Sequence, residues 1–174
     1  MEAPRTDAEL VRAIARGNDR AFAELVDRHG AWALGVATRF VGNRADAEDA
    51  VQEALVFLIE RSGRLVISDS LRPWLYPVIR NRAQQRARDQ RPVSHVGHEE
   101  SSADALAPPD PDERLRRAVA SLSDPILEVL MLRIVDGLSV AQTATALEIP
   151  EGTVKSRLAA ALASLRKDPS LGDF

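Results

Sequence analysis

Thr153, Lys155, Ser156 and Arg157 lie within one short stretch near the end of the chain and supply two hydroxyls and two cations. At the start of a helix lying in a DNA major groove, such side chains reach base edges and phosphates. Lys155 and Arg157 suit either target, and sequence alone does not divide them. In a second group, Trp74 and Tyr76 stand just before Arg80, Asn81 and Arg82. Rings beside cations suit single-stranded nucleic acid, whose unstacked bases need a flat apolar surface and whose backbone needs neutralising. A Trp in a small helical domain is also often a core residue, and Asn81 is either a base-edge partner or plain surface.

Other chemistry is excluded or unsupported. With no cysteine in the chain, disulfides, thiolate metal sites and a thiol nucleophile are impossible. His95 and His98 are too few ligands for a closed zinc site, and His29 is expected to end a helix, where a cation suits the dipole. No Glu-x-x-His, Ser/His/Asp arrangement or phosphate-binding Gly loop occurs. The expectation is a protein without a catalytic site, metal or cofactor. No apolar run approaches the roughly 20 residues that span a bilayer, and the first residues lack a basic region followed by an apolar one. A cytoplasmic protein with no membrane partner is the simplest reading.

The chain has 174 residues and a net charge of −3, which argues against nucleic acid only until the charge is divided. Residues 1–90 carry 14 Lys/Arg and 13 Asp/Glu, residues 91–112 one and five, and residues 113–174 eight of each. The acidity is therefore central. Across the end of the first part and just past it, Arg72, Arg80, Arg82, Arg86, Arg88 and Arg91 face Asp89 alone, a basic stretch that suits a phosphate backbone.

The elements that must hold these groups read as helices. Thr6 to Glu9 is a capping box, followed by Leu10, Val11 and Ile14 on one face and a stop at Gly17. A second helix opens near Asp19 and carries Phe22, Leu25, Val26, Trp32, Val36 and Phe40 at helical spacing. From Asp46 to Arg61, an apolar stripe of Ala47, Ala50, Val51, Ala54, Leu55 and Leu58 leaves Glu48, Asp49, Gln52, Glu53 and Glu60 largely outside it. That acidic side is either a solvated face or a docking surface. After a loop over residues 62–70, Pro73 suits the first turn of a helix; Pro77 fits there only if regular helix starts near Trp74, and otherwise removes a hydrogen bond. Residues 91–112 have no apolar period and read as a Pro-rich acidic linker. Beyond it, residues 113–122 form a helix, Asp124-Pro125 caps another that ends at Asp136-Gly137, Ser139 to Gln142 is a second capping box, and Pro150 opens the last helix. Small residues (Ala141, Ala144) and a short turn there make a helix-turn-helix over residues 139–158, with a plain helical hairpin as the alternative. The predicted fold is all-α: two small helical domains, residues 1–90 and 113–174, joined by the linker.

Three segments in this order, "DAEDAVQEALVFLIE", "RPWLYPVIRNRAQQRARDQR" and "LSDPILEVLMLRIVDGLSVAQTATALEIPEGTVKSRLAAALASLR", closely resemble the extracytoplasmic-function (ECF) sigma factors, the two-domain initiation subunits of bacterial RNA polymerase. The resemblance implies that the helix around Asp49, Gln52, Glu53, Leu55, Val56 and Ile59 docks on core RNA polymerase. It implies that Ser68, Arg72, Trp74, Tyr76, Arg80, Asn81, Arg82, Gln84 and Arg88 bind the minus-ten element, flipping a base and holding the single strand. Ser139, Glu151, Thr153, Lys155, Ser156 and Arg157 would meet the double-stranded minus-thirty-five element. Family members are often held by an anti-sigma factor, which joins polymerase and promoter DNA among the implied partners. The sequence departs from the family pattern at Pro77, at Glu148 where Gly is common, at Pro150 where Ser caps, and around Ala160, where basic residues are frequent.

The implied function is promoter recognition and melting on behalf of the polymerase, without catalysis. A stand-alone helix-turn-helix regulator and a sigma-like adaptor held by a partner protein are the rival readings. Co-elution with core polymerase separates them from a sigma factor.

Overall fold

A computed structural model describes residues 5–89 and 111–168, the side chains of residues 111 and 112 excepted. The chain divides into two compact units, Met1–Val93 and Ser94–Phe174, and all regular structure among the described residues is helical. None of these helices is long and apolar enough to cross a membrane. The expected linker and its two histidines lie outside the described residues, except for residues 111 and 112, which already belong to a helix.

Among the described residues, unit 1 contains four α-helices, α1 (Asp7–Ile14), α2 (Asp19–Thr38), α3 (Arg44–Arg61) and α4 (Arg72–Asp89), with a short 3-10 turn over Ser62–Arg64. α1 starts with the expected capping box, Thr6 Oγ1 accepting from the Glu9 amide and Glu9 from the Thr6 amide. The Thr6 amide and the Thr6 hydroxyl both donate to the Glu9 carboxylate and hold it below its usual pKa. Gly17, at φ +77°, lets the chain turn back after α1. Asn18 then caps α2, and Asn43 caps α3. The core is made of Leu10, Val11, Leu25, Val36, Leu58, Leu71, Leu75, Tyr76 and Ile79, interleaved with Ala21, Ala33, Ala37, Ala47, Ala50, Ala54 and Ala83. So many alanines let the helices approach closely, while the larger residues each contribute about 1.5–3 kcal/mol by leaving water.

Two carboxylates among the described residues of unit 1, Asp7 and Asp46, are buried, and Asp7 is the one bonded to two other helices. Asp7, 7% exposed, accepts from Arg28 at 2.9 Å, from the Leu71 backbone amide at 2.8 Å, and from His29 Nε2 at 3.0 Å. Burial alone would raise its pKa. The His29 bond, the Leu71 amide, the charge on His29 and the Arg28 bond outweigh burial and hold the carboxyl well below the usual carboxylate range. His29 is thus not at a helix end, as its sequence neighbours suggested. It lies in the middle of α2, 4% exposed, because α2 runs on through Gly30 and Gly35 as one 20-residue helix.

Pro77 lies inside α4, which starts at Arg72 and not near Trp74. It leaves the Pro73 carbonyl without its i+4 amide donor, yet the helix runs on to Asp89.

Unit 2 holds α5 (Pro111–Ala120), α6 (Asp124–Leu130), α7 (Val140–Leu147) and α8 (Glu151–Lys167). Ser123, rather than Asp124, is the N-cap of α6, placing Pro125 within the first turn without a side-chain cap bond. A π-helical turn, Met131–Val135, extends α6 to Asp136, and Gly137 at φ +69° ends it. Leu122, Leu130 and Ala161 pack with Ile126, Leu127, Leu158 and Leu165, so α8 is held against α6 by its inner face. The Ser139/Gln142 capping box opens α7. Its end is the left-handed Glu148 (φ 55°, ψ 41°), the position where the family commonly has Gly.

Asp7 makes stability sensitive to acid. Its folded pKa is depressed, so its contribution is complete above the unfolded value of about 4 and is lost as pH falls below it. Urea midpoints of the wild type should therefore drop more steeply between about pH 4 and pH 2 than those of Asp7→Ala, itself destabilised by about 3 kcal/mol at neutral pH. In unit 2, Glu148→Gly should raise stability by up to about 1 kcal/mol by relieving the left-handed strain, measured by thermal unfolding of the full chain.

Candidate functional site

α3 and α4 build one face of unit 1 between them. Arg86 on α4 reaches Asp49 at 2.9 Å and Glu53 at 2.5 Å, with Asp46 at 4.0 Å; Arg82 lies 3.8 Å from Glu53. A shallow cleft of ≈ 440 Å³ runs between Asp49, Gln52, Glu53, Val56, Phe57 and Glu60 on α3 and Arg82 and Arg86 on α4. Asp49 and Glu53 do stand outside the apolar stripe, but they are not a free acidic surface. The basic stretch of α4 is correspondingly less basic than its composition, because part of its charge is spent on α3. Val56, on the cleft wall, and Ile59, beside it, are 55% and 44% exposed, and Leu55 is half-buried.

The start of α4 is anchored by rings. Phe57 and Trp74 stack with centroids 6.0 Å apart and 12° between planes. Arg61 and Arg82 lie 4.8 and 5.8 Å from the Phe57 centroid, and Arg72 lies 5.1 Å from that of Trp32. Around this anchor Ser68, Asn81, Arg82 and Arg88 are exposed, while Arg72, Trp74, Arg80 and Gln84 are half-buried. Tyr76 must be moved from the expected strand-binding set to the core: it is 1% exposed. Tyr76, Ile79 and Ala83 share the inner stripe of α4, so the helical period, rather than nearness to arginines, decides its place.

In unit 2, the turn Glu148 to Pro150 joins α7 to α8. The inner face of α8 is Val154, Leu158, Ala161 and Leu165. On a helix with 3.6 residues per turn, this points Gly152, Ser156, Ala159 and Ala160 outward, all exposed. Lys155 and Arg157 then lie on opposite flanks. Lys155 is 3.9 Å from Glu151. Arg157 and Thr153 are half-buried, and Arg157 makes no ion pair among the described residues. Ser139 is spent on capping α7, and Ser156 Oγ donates to the Thr153 carbonyl at 3.1 Å. Ile134 and Val135 in the π-helical turn are 63% and 62% exposed.

Sequence reasoning missed the roles of Asp7 and Phe57, placed Trp32 only in an apolar stripe, and read Arg86 only as part of a basic stretch. Phe57 carried a signal, an aromatic outside the stripe of its own helix; Asp7 and Arg86 did not, since their partners are far away in sequence. Among the described residues, no three His, Asp or Glu are grouped to hold a metal ion.

Residues 25–93 match the Sigma-70 region 2 family and residues 112–165 the Sigma-70 region 4 family. The chain is 38% identical over 152 residues to the ECF RNA polymerase sigma factor SigL of Mycobacterium tuberculosis, covering 82% of this chain and 85% of that one. It is 30% identical over 169 residues to the RNA polymerase sigma-H factor of Pseudomonas aeruginosa, covering 87% and 88%. Among solved structures, CnrH in complex with the cytosolic domain of CnrY superposes with a TM-score of 0.68 at 25% identity over 91% of this chain and 94% of that one. RpoE of Bartonella quintana, in complex with the anti-sigma factor NepR, gives 0.62 at 21% over 87% and 98%. Two region matches in this order and relatives aligned along most of their length place this chain in the family of ECF RNA polymerase sigma factors.

Proposed function

We propose that this sigma factor docks on core RNA polymerase through the exposed side of α3, takes the minus-ten strand on the loop before α4 and on α4 itself, and reads the minus-thirty-five element with α8. Val56 and Ile59 carry the docking assignment. They leave large apolar side chains in water on a helix whose other face already fills the core, and a partner surface is what covers such residues. Gln52, Leu55 and the Arg-paired Asp49 and Glu53 surround them.

For the single strand, the exposed Asn81, Arg82, Arg88 and Ser68 supply polar and cationic contacts, and Arg72, Arg80 and Gln84 flank them. Trp74 offers a ring beside them, already braced on Phe57. Extruding a base costs a few kcal/mol of unstacking, which docking on polymerase and binding of the strand offset together. No catalytic group of the chain's own is required, and the chain works in the cytoplasm, where polymerase is. For α8, the small outward residues allow close approach to the groove, with Ser156 toward base edges and Lys155, Thr153 and Arg157 toward the flanking phosphates; Glu151 and Ser139 lie at the adjoining helix starts. An anti-sigma factor is a third proposed partner, in line with the NepR complex of RpoE.

Val56→Glu with Ile59→Glu should lower affinity for core polymerase at least about tenfold by placing two charges in an apolar contact, while leaving the free energy of urea unfolding within about 0.5 kcal/mol of the wild type, because both positions are exposed. Size-exclusion co-elution and titration with core polymerase measure the first. Undiminished affinity overturns the docking assignment. Charge reversal at Asp49 and Glu53 is a poorer probe, since it would set Lys against Arg86 and Arg82.

Arg157→Ala should weaken binding of polymerase holoenzyme to cognate and scrambled minus-thirty-five duplexes alike and reduce the salt slope by about 1. Loss confined to the cognate duplex would instead make Arg157 a base reader.

A further inference from the structure

Asp7 lies upstream of residues 25–93, the Sigma-70 region 2 match, yet its carboxylate ends on the segment proposed to take the minus-ten strand. The Leu71 amide donates to Asp7 Oδ2 at 2.8 Å across 64 residues of sequence. Leu71, 0% exposed, is where α4 begins: its carbonyl accepts from the amides of Trp74 at 3.1 Å and Leu75 at 2.9 Å. Its own amide is one that the helix cannot satisfy internally. The acceptor that meets it is held from behind by Arg28 and His29 of α2, and its negative charge suits a helix N-terminus.

An apolar side chain of similar volume would fill this space, and buried ionic groups are often no more stable than such a replacement. What a carboxylate adds is direction, namely an acceptor aimed at one backbone amide. The loop before α4 is tied upstream where the Leu65 amide donates to the Ser62 carbonyl at 3.4 Å. Between the ties Val66, Ser68 and Asp69 are exposed, Val66 by 91%. Downstream, the Arg72 amide donates to Ser70 Oγ at 3.3 Å within the loop, and Asp7 ties the loop's end to α1.

We infer that Asp7 is a positioning residue for single-strand recognition: it fixes the Leu71 amide and thereby the loop and first helical turn that carry Ser68, Arg72 and Trp74. This rests on the proposed role of that segment in binding the minus-ten strand. Asp7 does not touch DNA in this arrangement; it sets where Arg72 and Trp74 stand.

The test uses full-length chain bound to core polymerase, with a fluorescent single-stranded oligonucleotide of the minus-ten non-template sequence as probe. Hydrogen exchange of residues 65–75 is followed in the free chain. Asp7→Ala should raise the Kd for the strand about tenfold and speed exchange at Leu71, while Kd values for polymerase and for a minus-thirty-five duplex stay within about twofold. Asp7→Asn, whose remaining oxygen still accepts from the amide, should lose no more than about threefold; it carries the test if Asp7→Ala does not fold. Leu25→Ala, a destabilising change at a core residue 0% exposed that makes none of the Asp7 bonds, should leave strand affinity unchanged at temperatures where it is folded. Strand affinity unchanged in Asp7→Ala, or lost in parallel with polymerase affinity and equally in Leu25→Ala, overturns the positioning role. Wild-type holoenzyme that fails to bind the strand at all overturns the proposed role of the loop, and the inference with it.

Discussion

A carboxylate taken out of water must be met by donors or it will not stay ionised. In unit 1 this demand falls on Asp7, and the donors that meet it come from two other elements: Arg28 and His29 on α2 and the Leu71 amide at the start of α4. Three segments separated along the chain are thereby fixed to one another at a single point. The apolar core would hold α1, α2 and α4 together without it, but hydrophobic burial is non-directional and sets no register. The Asp7 bonds do set one.

The second constraint is electrostatic and lies between α3 and α4. Arg86 and Arg82 neutralise Asp49 and Glu53, so two helices with opposite sequence charge meet as a partly compensated face. These groups are part exposed, and each pair contributes little stability in water. Their effect is on potential: the acidic side of α3 is less acidic, and the basic side of α4 less basic, than either helix alone. A docking surface on α3 then relies more on Val56 and Ile59, and a strand-binding surface on α4 more on Asn81, Arg88 and the ring contacts around Trp74.

Unit 2 shows the same economy on a smaller scale. α8 is held by four inward residues and turns small side chains outward, so close approach to a groove comes from absence of bulk as much as from charge. Glu148 accepts a left-handed backbone to make the turn between α7 and α8, and the π-helical turn before Asp136 puts Ile134 and Val135 into solvent.

Local rules made much of this legible in the sequence. Capping boxes at Thr6 and Ser139, the helical periods of α1 to α3 and the all-α class depend on residues within a few positions of one another, where spacing and propensity suffice, and the order of motifs carried the resemblance to the sigma family. Contacts between distant segments were not legible. Nothing near Asp7 in sequence announces Leu71, His29 was read as a helix end because its partner lies on another helix, and Tyr76 was grouped with the arginines beside it until the packing of α4 put it inside. Burial and pairing are settled only when helices meet, since the same side chain is a surface charge or a buried clamp according to what stands opposite it.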